Sequence, residues 1–427
     1  MIDTHELTTQ DDIARIAASL RAAGEESDDV AREVATIIAE VEARGDEAVA
    51  ELTERFDGAR IPPGSFEVPP ARLEESLEGL TSPQRDALDF AAKRVAAFAG
   101  ESLPGDWTME AGPGLTVGQV ARPIEPVGLY VPGGRYAYPS SALMTGIPAR
   151  AAGVERIVFC SPPAKDGEVN PLVLAACAMV GGCRVFRIGG AQAIAAMAYG
   201  TATVPRCLMI AGPGNAYVAA AKRLVSRVST VDLEAGPSEV VVYADSTVDT
   251  AFAAADLLAQ LEHDPQALAV LVSESSSTVE AVKSQLQSGG VDLVGKVDLV
   301  WCASREQCVG LINAIAPEHA ALLVADAADL LPRIRTAWAV FLGPCSAVAL
   351  GDYVAGPSHV LPTGGAAARL SGLSAADFTR RMNVVAYTQK GLDADAGPAS
   401  LLASLEGLDH HARSVQVRKS SQAPSEV

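Results

Sequence analysis

Residues 257–266 read LLAQLEHDPQ, and within them Gln260 and His263 stand three apart, on one face of any helix drawn through both. Phe252, Leu257, Leu258 and Leu261 supply the apolar face of the same helix, which an Asp-Pro then stops. Such a pair is either a wet helix end or two donor atoms aimed at one target. Five of the six histidines follow residue 260, and each has polar or acidic company. His263 neighbours Glu262, His319 follows Glu318, His359 comes shortly after Asp352, and His410 and His411 follow Glu406 and Asp409. Singly, each histidine reads first as a surface or satisfied structural residue. Together, imidazoles and carboxylates gathered in loops and helix ends are the donors zinc takes, and a catalytic zinc keeps a position open for substrate.

The adjacent Glu318 and His319 in PEH offer two bases of unlike intrinsic pKa, about 4.3 and 6.5. Neighbours on a regular strand or helix diverge. On a loop both could face a cleft and serve two proton transfers in succession. The cysteines offer less. Cys160, Cys177, Cys183, Cys207, Cys302, Cys308 and Cys345 show no paired ligand spacing, and most lie among apolar residues, so they are expected to be reduced packing residues.

The elements that must position these groups follow from periodicity. Residues 10–55 and 71–103 carry apolar residues at helical spacing. From about Val117 short apolar runs alternate with helical stretches: PVGLYVPGG, VERIVFCSPP, CRVFRIGG and CLMIAGPGN, then EVVVYAD, ALAVLVSE, VDLVWCAS, AALLVAD and AVFLGP. This alternation predicts two Rossmann-like parallel-sheet α/β units, split near 234–238, with a helical N-terminal segment and a small helical C-terminal piece. Three glycine turns follow strands, at 132–134, 189–190 and 212–214. Each could present bare N–H groups to a phosphate, or be a plain turn of a parallel sheet. None is the G-x-G-x-x-G fingerprint.

The 427 residues exceed one simple core, so more than one domain is expected. With 33 basic against 52 acidic residues the net charge is −19, which repels nucleic acid and anionic membranes. No apolar run approaches the roughly 18 residues of a membrane helix. The start, MIDTHELTTQDD, lacks a secretory pattern, so a cytoplasmic protein is expected.

The motifs PVGLYVPGG, YPSSALM, GGAQAIAAMAYGT, GPGNAYV, AGPSEV, QLEHDP, PEH, GDYVAGPSHVLPTGG, SGLSAADF and EGLDHHARSV stand in this order along the chain. In this order and spacing they resemble the histidinol dehydrogenase family over residues 30–415. The resemblance implies a zinc-dependent, NAD-linked oxidation of L-histidinol to L-histidine through an enzyme-held histidinal, the last step of histidine synthesis. It implies zinc on Gln260, His263, Asp352 and His411, although a shift of one residue would place His410 there. It implies bases at His319 and Glu318, substrate contacts at Ser238, His359 and Glu406 beside the zinc ligands, and NAD contacts at Tyr130, Gln192 and Asn215. It also implies a homodimer. Residues 1–55 would form an N-terminal helical segment, 56–128 with 239–380 a first α/β domain, and 129–238 a second that contacts NAD. Residues 381–427 would complete the site of the partner subunit. The competing readings are a related zinc and NAD dehydrogenase of another small alcohol such as a sulfonated diol, a zinc hydrolase in which Glu318 activates water without a nucleotide, and a non-catalytic metal-binding protein.

Overall fold

The computed structural model describes residues 1–21, 28–133, 136–233, 236–262, 264–288 and 295–420. Its contacts divide the chain into two compact units, Met1–Ser102 with Ile124–Phe378, and Leu103–Pro123 with Thr379–Val427.

The larger unit holds the two parallel sheets that the alternation predicts. One has six strands in the order Ile2–Leu7, Lys296–Cys302, Leu268–Ser273, Glu239–Ala244, His319–Leu323, Ala339–Leu342, every pair parallel. The strand Glu239–Ala244, EVVVYA, is buried at every position. Alternate residues feed opposite faces. Val241, Tyr243, Val270 and Val272 join one apolar cluster, while Val240, Val242, Ala269 and Leu271 join another. A sheet covered on both faces by helices has no polar side, so its central strands read as unbroken apolar runs.

The second sheet has five strands in the order Cys183–Arg187, Ile157–Ser161, Val127–Tyr130, Met209–Ala211, Thr230–Val231, again all parallel. The chain works outward from Val127–Tyr130 to one side, then returns to continue on the other. The reversal falls between Val127–Tyr130 and Met209–Ala211. At such a switch point the turns leaving adjacent strands part and open a crevice at their carboxyl ends. In the six-stranded sheet the equivalent reversal lies between Glu239–Ala244 and His319–Leu323.

Helices Gln10–Arg21, Asp28–Arg44 and Asp46–Asp57 fill the expected N-terminal helical stretch. The later stretch becomes two helices, Pro70–Glu78 and Ser82–Glu101, because Thr81 and Gln84 form a capping box that starts the second.

The smaller unit is an antiparallel sheet of Trp107–Gly112, Leu115–Pro123 and Thr379–Tyr387, followed by helices Gln389–Leu405 and Asp409–Ser420. These three strands and the edge strand Ile2–Leu7 were not anticipated. Their residues mix polar and apolar types and none of the four is buried throughout, so no apolar run marks them. Among the described residues no helix is long and apolar enough to cross a membrane. All seven cysteines are free thiols, and five of them are buried.

Candidate active site

His319 opens the strand His319–Leu323, and Glu318 precedes it. Both are buried, at 5 % and 4 % exposure. They do not diverge as mid-strand neighbours would, because the strand begins between them. His319 Nδ1 lies 3.7 Å from Glu318 Oε2. The pairing His319↔Val240 sets Glu318 opposite Glu239 on the neighbouring strand. There the Glu239 N–H donates to Glu318 Oε2 at 2.9 Å, and the Glu318 N–H donates to Glu239 Oε2 at 3.4 Å. His319 Nδ1 donates to the Glu239 carbonyl oxygen at 3.2 Å. A carbonyl can only accept, so Nδ1 carries the proton and Nε2 is the basic nitrogen. That Nε2 stands 3.8 Å from Asp352 Oδ1.

Burial sets the electrostatics. It pushes Glu239 up to about 7, against the N–H groups of Gly364 and Glu318 and the charge of Arg21, all of which favour the carboxylate. Burial also lifts Glu318 well above the ordinary carboxylate range. The Glu239 N–H and the Ser238 hydroxyl pull it down, while the charges of Glu239 and Asp352 push it further up.

Gln260 lies in the last turn of helix Thr250–Leu261, buried at 4 % exposure, and its Nε2 has no hydrogen-bond partner. A buried amide group left unmatched costs free energy, and amide O and N can exchange places by a flip. A cation that takes the amide oxygen and lets the nitrogen turn toward solvent or substrate would relieve this. One helical turn earlier, Asp256 is raised by burial and accepts from the Val348 N–H. Val348 begins the short helix Val348–Tyr353 that carries Asp352. The Asp352 carbonyl accepts from His359 Nδ1 at 2.8 Å, and His359 Nε2 meets Ser141 Oγ at 3.2 Å. Ser238, half-buried, joins the cluster through its hydroxyl on Glu318. His263 lies outside the described residues, and among those described no group of three or more His, Cys, Asp or Glu is placed to hold a metal.

These groups gather at the amino ends of the six-stranded sheet. The other candidates occupy the carboxyl ends of the five-stranded sheet, at its switch point. Tyr130 ends its strand, and its buried hydroxyl accepts from the Gly190 N–H at 3.0 Å. Gln192 is 1 % exposed in the first turn of helix Gly190–Tyr199, with Nε2 unpartnered. Asn215 caps helix Ala216–Val225, its Oδ1 accepting from Tyr217 and Val218 N–H at 3.1 and 3.2 Å. That fixes the cap and leaves the amide nitrogen as the donor for a ligand.

The turn before Asn215 is held rigidly. A Cβ on Gly212, whose φ is +123°, would collide with the Tyr130 carbonyl oxygen. The Gly212 N–H donates to Asp232 Oδ2 at 2.8 Å, the Gly212 carbonyl accepts from Lys222 Nζ at 3.0 Å, and Lys222 and Asp232 form a buried ion pair. Tyr130, Gln192 and Asn215 thus stand at the carboxyl ends of the five-stranded sheet, where side-chain amides and a helix N-terminus are the kinds of group a dinucleotide phosphate takes.

Glu406 and His411 belong to the smaller unit. Glu406 follows helix Gln389–Leu405, His411 lies in helix Asp409–Ser420, and both are exposed, as is His410. His5, the remaining histidine, bonds Asp298 at 2.7 Å and is structural.

Several groups here carried no signal in the sequence. Glu239 stands beside Ser238 in AGPSEV, yet only strand register brings it to Glu318. Lys222 and Asp232 act across ten residues and a strand. Gly364 of LPTGG donates to Glu239 Oε1 at 2.8 Å, and a glycine pair after a proline was the sole hint of that turn.

A family model described as histidinol dehydrogenase matches residues 20–419. The chain is 42 % identical over 401 residues to histidinol dehydrogenase of Methanosarcina barkeri, with 92 % of each chain covered. It is 46 % identical over 403 residues to that of Parasynechococcus marenigrum, again covering 92 % of each. It also resembles the crystal structure of histidinol dehydrogenase from Elizabethkingia anophelis, with a TM-score of 0.91, 30 % identity and 97 % of both chains covered.

Proposed function

This chain belongs to the histidinol dehydrogenase family, and from that premise we propose that it oxidises L-histidinol to L-histidine with NAD⁺, using zinc, in the cytoplasm. The observation that carries the chemistry is the fixed tautomer of His319. Its Nδ1 is committed to the Glu239 carbonyl, so Nε2 is the proton acceptor, and Glu318 lies alongside as a second base of different strength.

In the first oxidation His319 Nε2 takes the alcohol proton. In the second, Glu318, which burial makes a stronger base than an ordinary carboxylate, takes a proton from the water that adds to the aldehyde, while the Glu239 N–H and the Ser238 hydroxyl partly offset that burial. NAD⁺, when bound against Tyr130, Gln192 and Asn215, supplies the hydride acceptor for both steps. Zinc, when held by Gln260, His263 and Asp352 with His411 of the partner subunit, supplies a fixed point for the substrate nitrogens. Ser238, His359 and Glu406 complete the substrate contacts. Burial of Glu318 and His319 keeps the aldehyde from bulk water.

A homodimer follows from the same reading. Helix Gln389–Leu405 and the turn after it expose Leu401, Leu402, Leu405 and Leu408, with Leu405 at 75 %. Large apolar side chains exposed so close together in the chain are what a second copy would cover. The test is NADH formation from L-histidinol and NAD⁺ by the zinc-replete protein, expected to approach two per histidine formed. Inactivity with histidinol but turnover of another small alcohol overturns the substrate. Amide cleavage without NAD⁺ overturns the reaction class.

A further inference from the structure

In doubly wound sheets the acid that takes the adenosine ribose hydroxyls sits about 20 residues after the glycine turn, at the end of the second strand. Here that strand is Ile157–Ser161, and it runs straight into Pro162 and Pro163, with no carboxylate. Another part of the chain fills the place. Asp57, the last residue of helix Asp46–Asp57, brings Oδ1 to 3.1 Å from where a Cβ on Gly189 would stand, and the same point is 2.5 Å from the Pro162 Cβ. The Asp57 carboxylate therefore lies against both the end of the second strand and the glycine turn that opens helix Gly190–Tyr199.

Three observations indicate that it is there to meet a ligand. Its Oδ2 is buried without a hydrogen-bond partner. It sits at the negative end of its own helix, just before the left-handed Gly58, where a cation is the favoured residue. It also lies near the polar groups of the same turn. The Tyr130 hydroxyl, Gly190 and the unpartnered, buried Gln192 amide lie around the same turn, and the Asp57 charge is felt at the Tyr130 oxygen. An unpartnered amide donor for phosphate beside an acceptor for hydroxyls is what the adenosine half of a dinucleotide requires.

We propose that Asp57 selects the cofactor: its carboxylate accepts the adenosine ribose hydroxyls and repels a 2′-phosphate, so the enzyme takes NAD⁺ and refuses NADP⁺. This rests on the reading of the five-stranded sheet as the dinucleotide site. The acid comes from the N-terminal helices and not from the nucleotide sheet, which explains why no fingerprint marks it.

The test is calorimetric titration of the full-length protein with ADP-ribose and 2′-phospho-ADP-ribose, probes that report binding without turnover. Wild type is expected to prefer ADP-ribose. In Asp57→Asn and Asp57→Ser the preference should fall by roughly tenfold or more, since one charge-assisted contact and one like-charge repulsion are lost together. The near-isosteric Asp57→Asn keeps the test valid if Asp57→Ser fails to fold. An unchanged preference in a folded Asp57→Asn, judged by its thermal midpoint, overturns the proposal and leaves Asp57 as a partner of the helix N-terminus. Failure of wild type to bind either probe overturns both Asp57 and the dinucleotide site. A preference that collapses in the variants of a protein inactive toward histidinol supports Asp57 while overturning the proposed substrate.

Discussion

Glu239 and Glu318 exchange main-chain N–H donors across two adjacent strand mouths, each carboxylate receiving the other residue's N–H, at 2.9 and 3.4 Å. Two carboxyls so close and so buried resist ionising together. Burial leads in raising both, Glu239 to about 7 from an ordinary 4.5. Between those values the folded chain binds a proton that the unfolded chain has released. The Glu239 contribution to stability is therefore complete below about 4.5 and is lost as pH rises through about 7. Glu239→Gln removes this titration. Any stability gap between wild type and variant at pH 5 should narrow in the variant's favour by pH 8, as read from denaturant midpoints. A gap that does not change between those pH values would show that Glu239 titrates normally.

The division of labour between the two bases predicts separable defects. Glu318→Gln should slow histidinal oxidation on the order of a hundredfold or more and histidinol oxidation far less. His319→Gln should do the reverse. Supplying histidinal directly isolates the second step, and equal losses in both steps for Glu318→Gln would remove the assignment.

The parts of this molecule that were legible in its sequence are those where burial leaves a one-dimensional trace. EVVVYA and the strand LAVLVS read as strands because both faces are covered. Gln260 stood out as a polar side chain on an apolar helix end, and it is indeed buried. Glu239 left no such trace, because what matters is its register against Glu318. Asp57 is likewise invisible until its helix packs near Gly189. The strand TRRMNVVAY was hidden because it has no buried residue.

Gln260→Ala removes a buried amide whose nitrogen has no partner in the protein. If the oxygen serves zinc, affinity should fall by at least about tenfold, the lower end of what even outer-sphere changes cost. Competition with a chromophoric chelator measures this independently of turnover. Stripping wild type with a chelator should abolish histidinol oxidation, and zinc should restore it. Unaltered zinc affinity in Gln260→Ala would exclude it as a ligand.

Lys222 and Asp232 clamp Gly212 through its carbonyl and its N–H, and this fixes the turn that delivers Asn215. Lys222→Met strands a buried carboxylate, at a cost of about 3–5 kcal/mol in unfolding free energy. Lys222→Met with Asp232→Asn removes both charges and should recover much of that stability. The double variant should still show a raised KM for NAD⁺ with kcat less affected, because the Gly212 carbonyl has lost its donor. Recovery of stability and KM together would make the pair purely structural.

Subunit mixing tests where His411 acts. Glu318→Gln and His411→Asn each cut histidine formation steeply in a homodimer if both residues belong to the site. In a mixed dimer with His411 acting across the interface, one site collects both defects and the other collects neither. Random co-assembly in equal amounts makes half of the dimers mixed, each with one intact site, so roughly a quarter of wild-type activity should return. If His411 served its own subunit, every site in the mixture would carry one defect and nothing would be regained. The assay is histidine formation by co-expressed, co-purified variants against each variant alone.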